Sequence, residues 1–371
     1  MPNGNLRPVS NITERKLDQP VSFHHAPTNK CQYSPTPTDI RHRGGNDRGN
    51  DSRSCRMTKL QSLLVLDTKA RPGNNVISYF QEHPPTQIPA LKRAWQKVIK
   101  SEPMFRAVFD DEYFTESDTI CFLWSESKHH DPCSFEEEFE SMNTPEMAEP
   151  ATEFNIITLA GKRSIVVWHV HHALVDGYSA RLLLQRVSIV MNGGEISEGK
   201  SFIELTRGWQ MYQAIFSEQA RQFWRDYLTN TTTANHDLLL PPPMDEASNN
   251  SLSTHFVTVS MPLQRVVQYS GERNLPLSSI YYAAWALVLA LYTGADSVSF
   301  GVVFANRSIP IPGIRETVGP MMNTLPLVLN LDRETKFKDL LQCTTQRVAK
   351  LREFEWSTPD QSPKMTSVLA M

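Results

Sequence analysis

One ten-residue run, Trp168-His169-Val170-His171-His172-Ala173-Leu174-Val175-Asp176-Gly177, constrains this chain more than any other stretch. It has to leave an apolar strand, turn, and enter a helix. Two runs of β-favouring residues precede it, Phe154-Asn155-Ile156-Ile157 and Ile165-Val166-Val167-Trp168, with the turn residues Gly161-Lys162-Arg163 between them. That pattern predicts a hairpin with the histidines at its exit. Downstream, Leu182, Leu183, Val187 and Val190 recur at helical spacing between Ser179 and Val190. Asp176 and Gly177 therefore lie in a strand-to-helix loop, the kind of segment on which rigid scaffolds display reactive groups.

Successive strand residues point to opposite faces, so His172 faces away from His169 and His171 if the strand reaches it. A neutral imidazole takes a proton from an amine or hydroxyl near neutral pH, which makes His172 the candidate general base. Asp176 is placed to orient the loop through an ion pair, and Gly177 to let backbone approach a substrate closely. Two other readings compete. A single histidine on an apolar strand is ordinarily a satisfied core residue, and the His169-Val170-His171 spacing suits a pair of zinc ligands. Zinc needs a third ligand nearby, and neither a cysteine pair nor a His-x-Asp-His continuation follows. No metal is expected.

His171-His172-Ala173-Leu174-Val175-Asp176-Gly177 matches an HHxxxDG signature, and through it the chain resembles the condensation domains of nonribosomal peptide synthetases, relatives of chloramphenicol acetyltransferase. Other segments carry the resemblance in the same order. Met57-Thr58-Lys59-Leu60-Gln61 is a divergent form of the opening motif. Ser101 to Phe109 resembles the arginine-bearing segment after the first helix, with Arg106 on the arginine. Phe202-Ile203-Glu204-Leu205 with Trp209 is similar to the aromatic and acidic segment beyond the active-site helix. Gly301 to Arg307 and Val318 to Pro326 resemble the second-lobe motif that closes the tunnel.

The resemblance implies an α/β (α+β) fold of two chloramphenicol-acetyltransferase-like lobes in a V-shaped pseudodimer, with a tunnel entered from opposite faces by two phosphopantetheine arms. His172 would sit at its midpoint and remove or orient the acceptor's proton, with backbone near Gly177 helping to stabilise the oxyanion. Asp176 would be structural and is expected to pair with Arg106; His171 would support the loop, and Asn323 would line the tunnel. The implied function is a condensation-type acyltransferase of secondary-metabolite biosynthesis. It would form an amide or ester from a carrier-bound acyl or peptidyl thioester, bind no cofactor directly, and take substrates on the phosphopantetheine of carrier proteins. Peptidyl or acyl carrier proteins or synthetase modules would be its partners. The alternatives are a soluble acyl-CoA-dependent acyltransferase and a non-catalytic, truncated carrier-docking protein. The Asp-Phe-Gly-Trp-Gly motif of plant-type acyltransferases is missing, and the doubled histidine favours condensation. Donor and acceptor are not legible, because tunnel specificity rests on scattered side chains.

A length of 371 residues suggests two lobes, each able to bury a core. The net charge of −3 offers no basic field for nucleic acid. The most apolar run, Ile280 to Tyr292, is too short for a membrane span and reads as a buried helix. No charged-then-apolar leader opens the chain, and the five cysteines, Cys31, Cys55, Cys121, Cys133 and Cys343, lack paired metal spacing; reduced thiols and a cytoplasmic location are expected. Two lobes in one chain remove the need for subunits to share a site, so a monomer is expected.

The domain plan reads as follows. Residues 1–55, rich in Pro, Asn, Arg, Gly and Ser, form a disordered leader. Residues 56–228 form the N-terminal lobe, 229–250 a linker containing Pro241-Pro242-Pro243, and 251–371 a C-terminal lobe short of its last strands. Within that plan a helix is expected after Ile88-Pro89, with Leu91, Trp95, Val98 and Ile99 on its buried face and Pro103 at its end. A helix around Glu136-Glu137-Glu138 would pack through Phe135 and Phe139, and a helix pair would span Phe202 to Leu228. A strand from His255 to Met261, a helix from Leu277 to Leu291 and a strand from Ser297 to Val303 complete the plan.

Overall fold

The computed structural model describes residues 51–120, 122–128, 147–159, 163–229, 263–331, 334, 336–360, 365 and 367–370. The expected Glu136–Glu138 helix, the His255–Met261 strand, all of the linker but Thr229, and residues 1–50 of the leader lie outside them. Of the described residues, those up to Trp209 together with Pro310–Met321 form one compact unit. Those of Gln210–Ile309 and from Met322 onward form the second. The division differs from the plan read from composition: the chain passes from one unit to the other inside a helix, ahead of residue 228. An amphipathic helix shows no composition shift where its packing partners change.

The first unit contains β1 (Ser54–Arg56), α1 (Lys59–Ala70), β2 (Val76–His83), α2 (Ile88–Ser101), β3 (Ala107–Phe109), β4 (Tyr113–Glu116), β5 (Leu123–Lys128), β6 (Thr152–Leu159), β7 (Arg163–His171), α3 (Gly177–Met191) and the start of α4 (Phe202–Ile215). Strand β1 corrects the leader's expected end at residue 55. Its polar side chains read as solvated, but its backbone pairs antiparallel with β4, Cys55 opposite Phe114. Strands β6 and β7 form the expected hairpin, and the four-stranded sheet runs β2-β7-β6-β5, with β5 parallel to β6.

Alternation along β7 explains how this sheet divides its residues. One face carries Trp168 with its cross-strand neighbours Tyr79 and Phe154. Trp95 of α2 packs there, its ring centroid 5.0 Å from Phe154 and 4.7 Å from Trp168. Aromatic pairs of this kind add about 0.5–1.5 kcal/mol each beyond the area they bury. The stripe Leu91, Trp95, Val98 and Ile99 is buried as its spacing predicts, and the chain leaves α2 at Glu102-Pro103. The opposite face carries Val167, Ile165, Ile157 and Phe80 in one apolar cluster, and beyond it His169 and His171.

The second unit contains the rest of α4, α5 (Ser217–Thr229), α6 (Leu263–Glu272), α7 (Leu277–Thr293), β8 (Ser297–Phe304), β9 (Asn323–Asn330), α8 (Phe337–Glu353) and β10 (Val368–Leu369). Its sheet runs β10-β8-β9, with β8 and β9 antiparallel and β10 parallel to β8. Helix α7 corrects one expectation: Tyr282, Ala283, Ala286 and Leu289 are buried, but Leu291 and Tyr292 are exposed. A helix apolar all round gives no sign of which side faces the core. Among the described residues no single helix is long and apolar enough to cross a membrane.

Candidate active site

Strand β7 ends at His171, and the next five residues turn into α3 through a set of backbone and side-chain hydrogen bonds. The His171 amide donates to Ala151 O at 3.0 Å, the His172 amide to Asn75 O at 2.7 Å, and the Leu174 amide to His171 O at 3.0 Å. The Ala173 amide donates to Nδ1 of His171 at 3.0 Å, and Ala173 O accepts from Nε2 of Gln61 at 3.3 Å. Gln61 is fully buried and sits in a capping box with Thr58 at the start of α1. A buried polar loop is stable only when its donors and acceptors are paired in this way.

These bonds assign different tautomers to the adjacent histidines. Nδ1 of His171 accepts an amide hydrogen, so its proton is on Nε2, which donates to Thr68 Oγ1 at 2.7 Å. Thr68 in turn donates to Asn74 O at 3.0 Å. Both nitrogens of His171 are thus engaged in a buried site. Nδ1 of His172 lies 2.9 Å from Val175 O, and a carbonyl can only accept, so Nδ1 carries the proton. Nε2 of His172 is left with a lone pair and makes no hydrogen bond among the described residues. The ring is only half-buried.

His169, two residues earlier, is a satisfied core histidine: Ser78 Oγ lies 2.8 Å from Nδ1 and Asn155 Nδ2 3.1 Å from Nε2. Burial pushes His169 down to about 4 from an ordinary 6.5. Burial, helped by the neighbouring His172, does the same to His171. Both rings are neutral in the fold, whereas in the unfolded chain they charge below pH 6.5. The unfolded state therefore binds more protons between pH 6.5 and 4, and the stabilising contribution, complete above 6.5, is lost as pH falls through that window. We expect stability to drop by up to roughly 1.4 kcal/mol per pH unit for each ring there; urea titrations between pH 7.5 and 4.5 measure it, and a flat profile contradicts the assignment.

The expected Asp176–Arg106 ion pair is not formed. Arg106 donates to Glu116 Oε1 at 2.8 Å and to Lys100 O at 3.1 Å, bracing β4 against the end of α2. Asp176 instead accepts from two backbone amides. Its Oδ1 caps α3 through Ser179 N at 2.8 Å, and its Oδ2 accepts from Met321 N at 2.9 Å. Ser179 Oγ donates to Gly319 O at 2.9 Å and accepts from Gly319 N at 3.0 Å, so the Val318–Met321 strap is fastened across the start of α3. Gly319 has φ 153°, and a Cβ on it would meet the Phe202 ring. These two oriented N–H dipoles stabilise the buried carboxylate.

Gly177 is different. Its φ lies outside the left-handed region, and a Cβ there would meet no atom within 4 Å. Among the described residues nothing requires glycine at this position; the open space beside it is available to a ligand. Asn323, at the start of β9, donates from Nδ2 to Glu355 O at 2.9 Å and Ser357 O at 3.0 Å. Those bonds make it a brace within the second unit and leave only Oδ1 for another partner. Among the described residues no group of three or more His, Cys, Asp or Glu is placed to hold a metal ion.

Three residues of the site were not legible as such beforehand: Gln61, Thr68 and Asn75. Only Gln61 carried a signal, through the motif at Met57–Gln61.

A family model described as the condensation domain matches residues 69–355. The chain is 32% identical over 331 residues to nonribosomal peptide synthetase aclP of Aspergillus oryzae, covering 85% of this chain and 20% of that protein. It is 29% identical over 360 residues to nonribosomal peptide synthetase ataP of Aspergillus terreus, covering 93% and 23%. The chain thus spans about a fifth of the length of these curated relatives. In structure it is similar to the first condensation domain of the calcium-dependent antibiotic synthetase, with a TM-score of 0.66 at 17% identity over 85% of this chain and 80% of that one. It is also similar to the condensation domain of the Monacolin K polyketide synthase MokA, with a TM-score of 0.64 at 15% identity over 85% and 78%.

Proposed function

The chain belongs to the condensation-domain family, a class of acyltransferase-type enzymes, and we propose that it joins an acceptor amine to an acyl or peptidyl group held as a thioester on a partner carrier protein. The observation that carries this reading is the tautomer of His172. With its Nδ1 proton held by Val175 O, the half-buried ring keeps its Nε2 lone pair for a substrate, in the loop that ends at the open space beside Gly177.

The chemistry follows from that arrangement. The acceptor nitrogen attacks the thioester carbonyl, forming a C–N bond and placing negative charge on the carbonyl oxygen. Nε2 of His172 takes the proton that the nitrogen must lose. The Gly177 amide, first in α3 and without an intrahelical acceptor, is the donor we assign to the oxyanion, at the helix end where negative charge is favoured. Collapse of the tetrahedral intermediate breaks the C–S bond, and the proton on His172 passes to the departing sulfur. The carrier's thiol is regenerated and the amide remains. Phosphopantetheine would deliver the thioester, and a cytoplasmic monomer acting on carrier proteins or synthetase modules goes with this reading. Asp176, His171 and Arg106 hold the frame and do not touch the reacting atoms.

The test is mass spectrometry of the protein with an acyl-loaded carrier and an amine-loaded carrier. Amide product on the acceptor carrier supports condensation; product from acyl-CoA but not from a loaded carrier moves the assignment to a CoA-dependent acyltransferase, and carrier binding without turnover moves it to a docking protein.

The role of Gly177 separates from folding. Gly177→Ala adds a methyl to the first turn of a helix where it meets nothing, so stability is expected to be unchanged or to rise by up to about 1 kcal/mol. Product formation is expected to fall about tenfold or more, because the methyl occupies the substrate's approach. Wild-type turnover in this variant removes Gly177 from the site.

A further inference from the structure

The chain reverses between α1 and β2 through residues 71–75, and the last residue of that turn reaches both histidines. Asn75 has φ 63°, in the left-handed region that asparagine tolerates better than most residues. Its carbonyl accepts the His172 amide at 2.7 Å. Its side chain does not fold back on its own turn: Nδ2 lies 2.9 Å from Asp67 Oδ2, 3.2 Å from Leu64 O and 3.2 Å from Thr68 Oγ1, all on α1. Two amide hydrogens are shared among three acceptors. Thr68 Oγ1 is the same atom that receives the Nε2–H of His171, and Asp67 also receives Asn74 Nδ2 at 3.0 Å. The main chain of Asn75 thus holds His172 directly, while its side chain holds the hydroxyl that fixes His171.

We propose that Asn75 is a positioning residue for His172: it pins the entry to β2 onto α1, and through its carbonyl sets where the His172 backbone lies and hence where Nε2 points. This rests on the assignment of His172 as the base. The position needs a residue that accepts a positive φ, which glycine does best, yet glycine would supply none of the three bonds to α1. Sub-ångström placement matters here, since a 1 Å displacement of a reacting group costs on the order of a hundredfold in rate.

Asn75→Gly separates the two roles, because it keeps the carbonyl and relieves the φ while removing the carboxamide. In the full chain we expect kcat for carrier-to-carrier condensation to fall about tenfold or more, with KM for each loaded carrier within about twofold of wild type. We also expect the ¹⁵N resonances of the His172 ring to lose the signature of a single Nδ1–H tautomer. Asn75→Asp, which removes the donor and sets a second carboxylate beside Asp67, is expected to fall at least as far. A wild-type kcat in Asn75→Gly would mean that only the backbone angle matters, and overturns the proposal. Should Asn75→Gly fail to fold, Asp67→Ala removes the nearest acceptor of the carboxamide from a partly exposed site, and an unchanged kcat there overturns it as well. The ring resonances need no turnover. If the wild-type chain proves inactive the condensation reading fails, while unchanged His172 resonances in Asn75→Gly would still sink the positioning role separately.

Discussion

His172→Ala is expected to lower kcat by roughly 10²–10⁴-fold, the usual contribution of a positioned acid–base group, while leaving stability near that of the wild type. The reason lies in how little the ring does for the fold. It is half-buried, and its one hydrogen bond within the described structure goes to Val175 O, which water can replace. Its neighbour is the opposite case. His171 is fully buried, accepts the Ala173 amide on Nδ1 and donates to Thr68 on Nε2. His171→Ala leaves that amide and that hydroxyl short of a partner around a cavity, at about 1–3 kcal/mol for each buried unsatisfied group, so a loss of about 3–5 kcal/mol is expected. Urea denaturation and single-turnover product formation, measured on both variants, separate the two. Equal loss of stability in the two variants, or wild-type turnover in His172→Ala, would refute the division of labour between them.

That division could be foreseen only in part. The alternation of β6 and β7 and the helical spacing after Ser179 put the histidines in a strand-to-helix loop, and the α2 stripe named its own buried face. Which histidine to propose as the base came from the matched signature. The tautomers that support the proposal were not legible, because they depend on Val175 O and the Ala173 amide, groups of a kind that nearly every residue has. The supporting residues were hidden for a related reason. Asn75 and Thr68 lie roughly a hundred positions from the histidines, and nothing in the residue type of a turn asparagine or a helix threonine says which distant element it will meet. Periodicity reports which side of an element is apolar; it carries no information on register or on polar pairs closed by the tertiary fold. The same gap produced the error over Arg106, where a buried acid was given the nearest plausible cation in a familiar motif. Glu116, its real partner, sits on a short strand with no distinguishing pattern.

Asp176 is where that error has the largest measurable consequence. If the carboxylate were held by Arg106, replacing it with asparagine would leave a polar side chain able to keep a hydrogen bond to that guanidinium. In this fold its two oxygens each accept a backbone hydrogen, from Ser179 and from Met321. Asp176→Ala removes the cap of α3, worth about 0.5–2 kcal/mol, and leaves the Met321 amide without that charge-assisted bond, worth about 1.5–3 kcal/mol. A loss of about 3–5 kcal/mol is expected. Asp176→Asn preserves shape but turns an NH2 group toward one of the two N–H donors, so about 2–3 kcal/mol should go despite the isosteric change. Activity is expected to follow, because the Val318–Met321 strap and the start of α3 with Gly177 are held by the same carboxylate. Urea melts of the two variants beside Arg106→Ala decide the matter. The Arg106 side chain bonds Glu116 and Lys100 O, so its removal should not reproduce the Asp176 losses, and non-additivity in the Asp176/Arg106 double mutant would restore the Asp176–Arg106 pair.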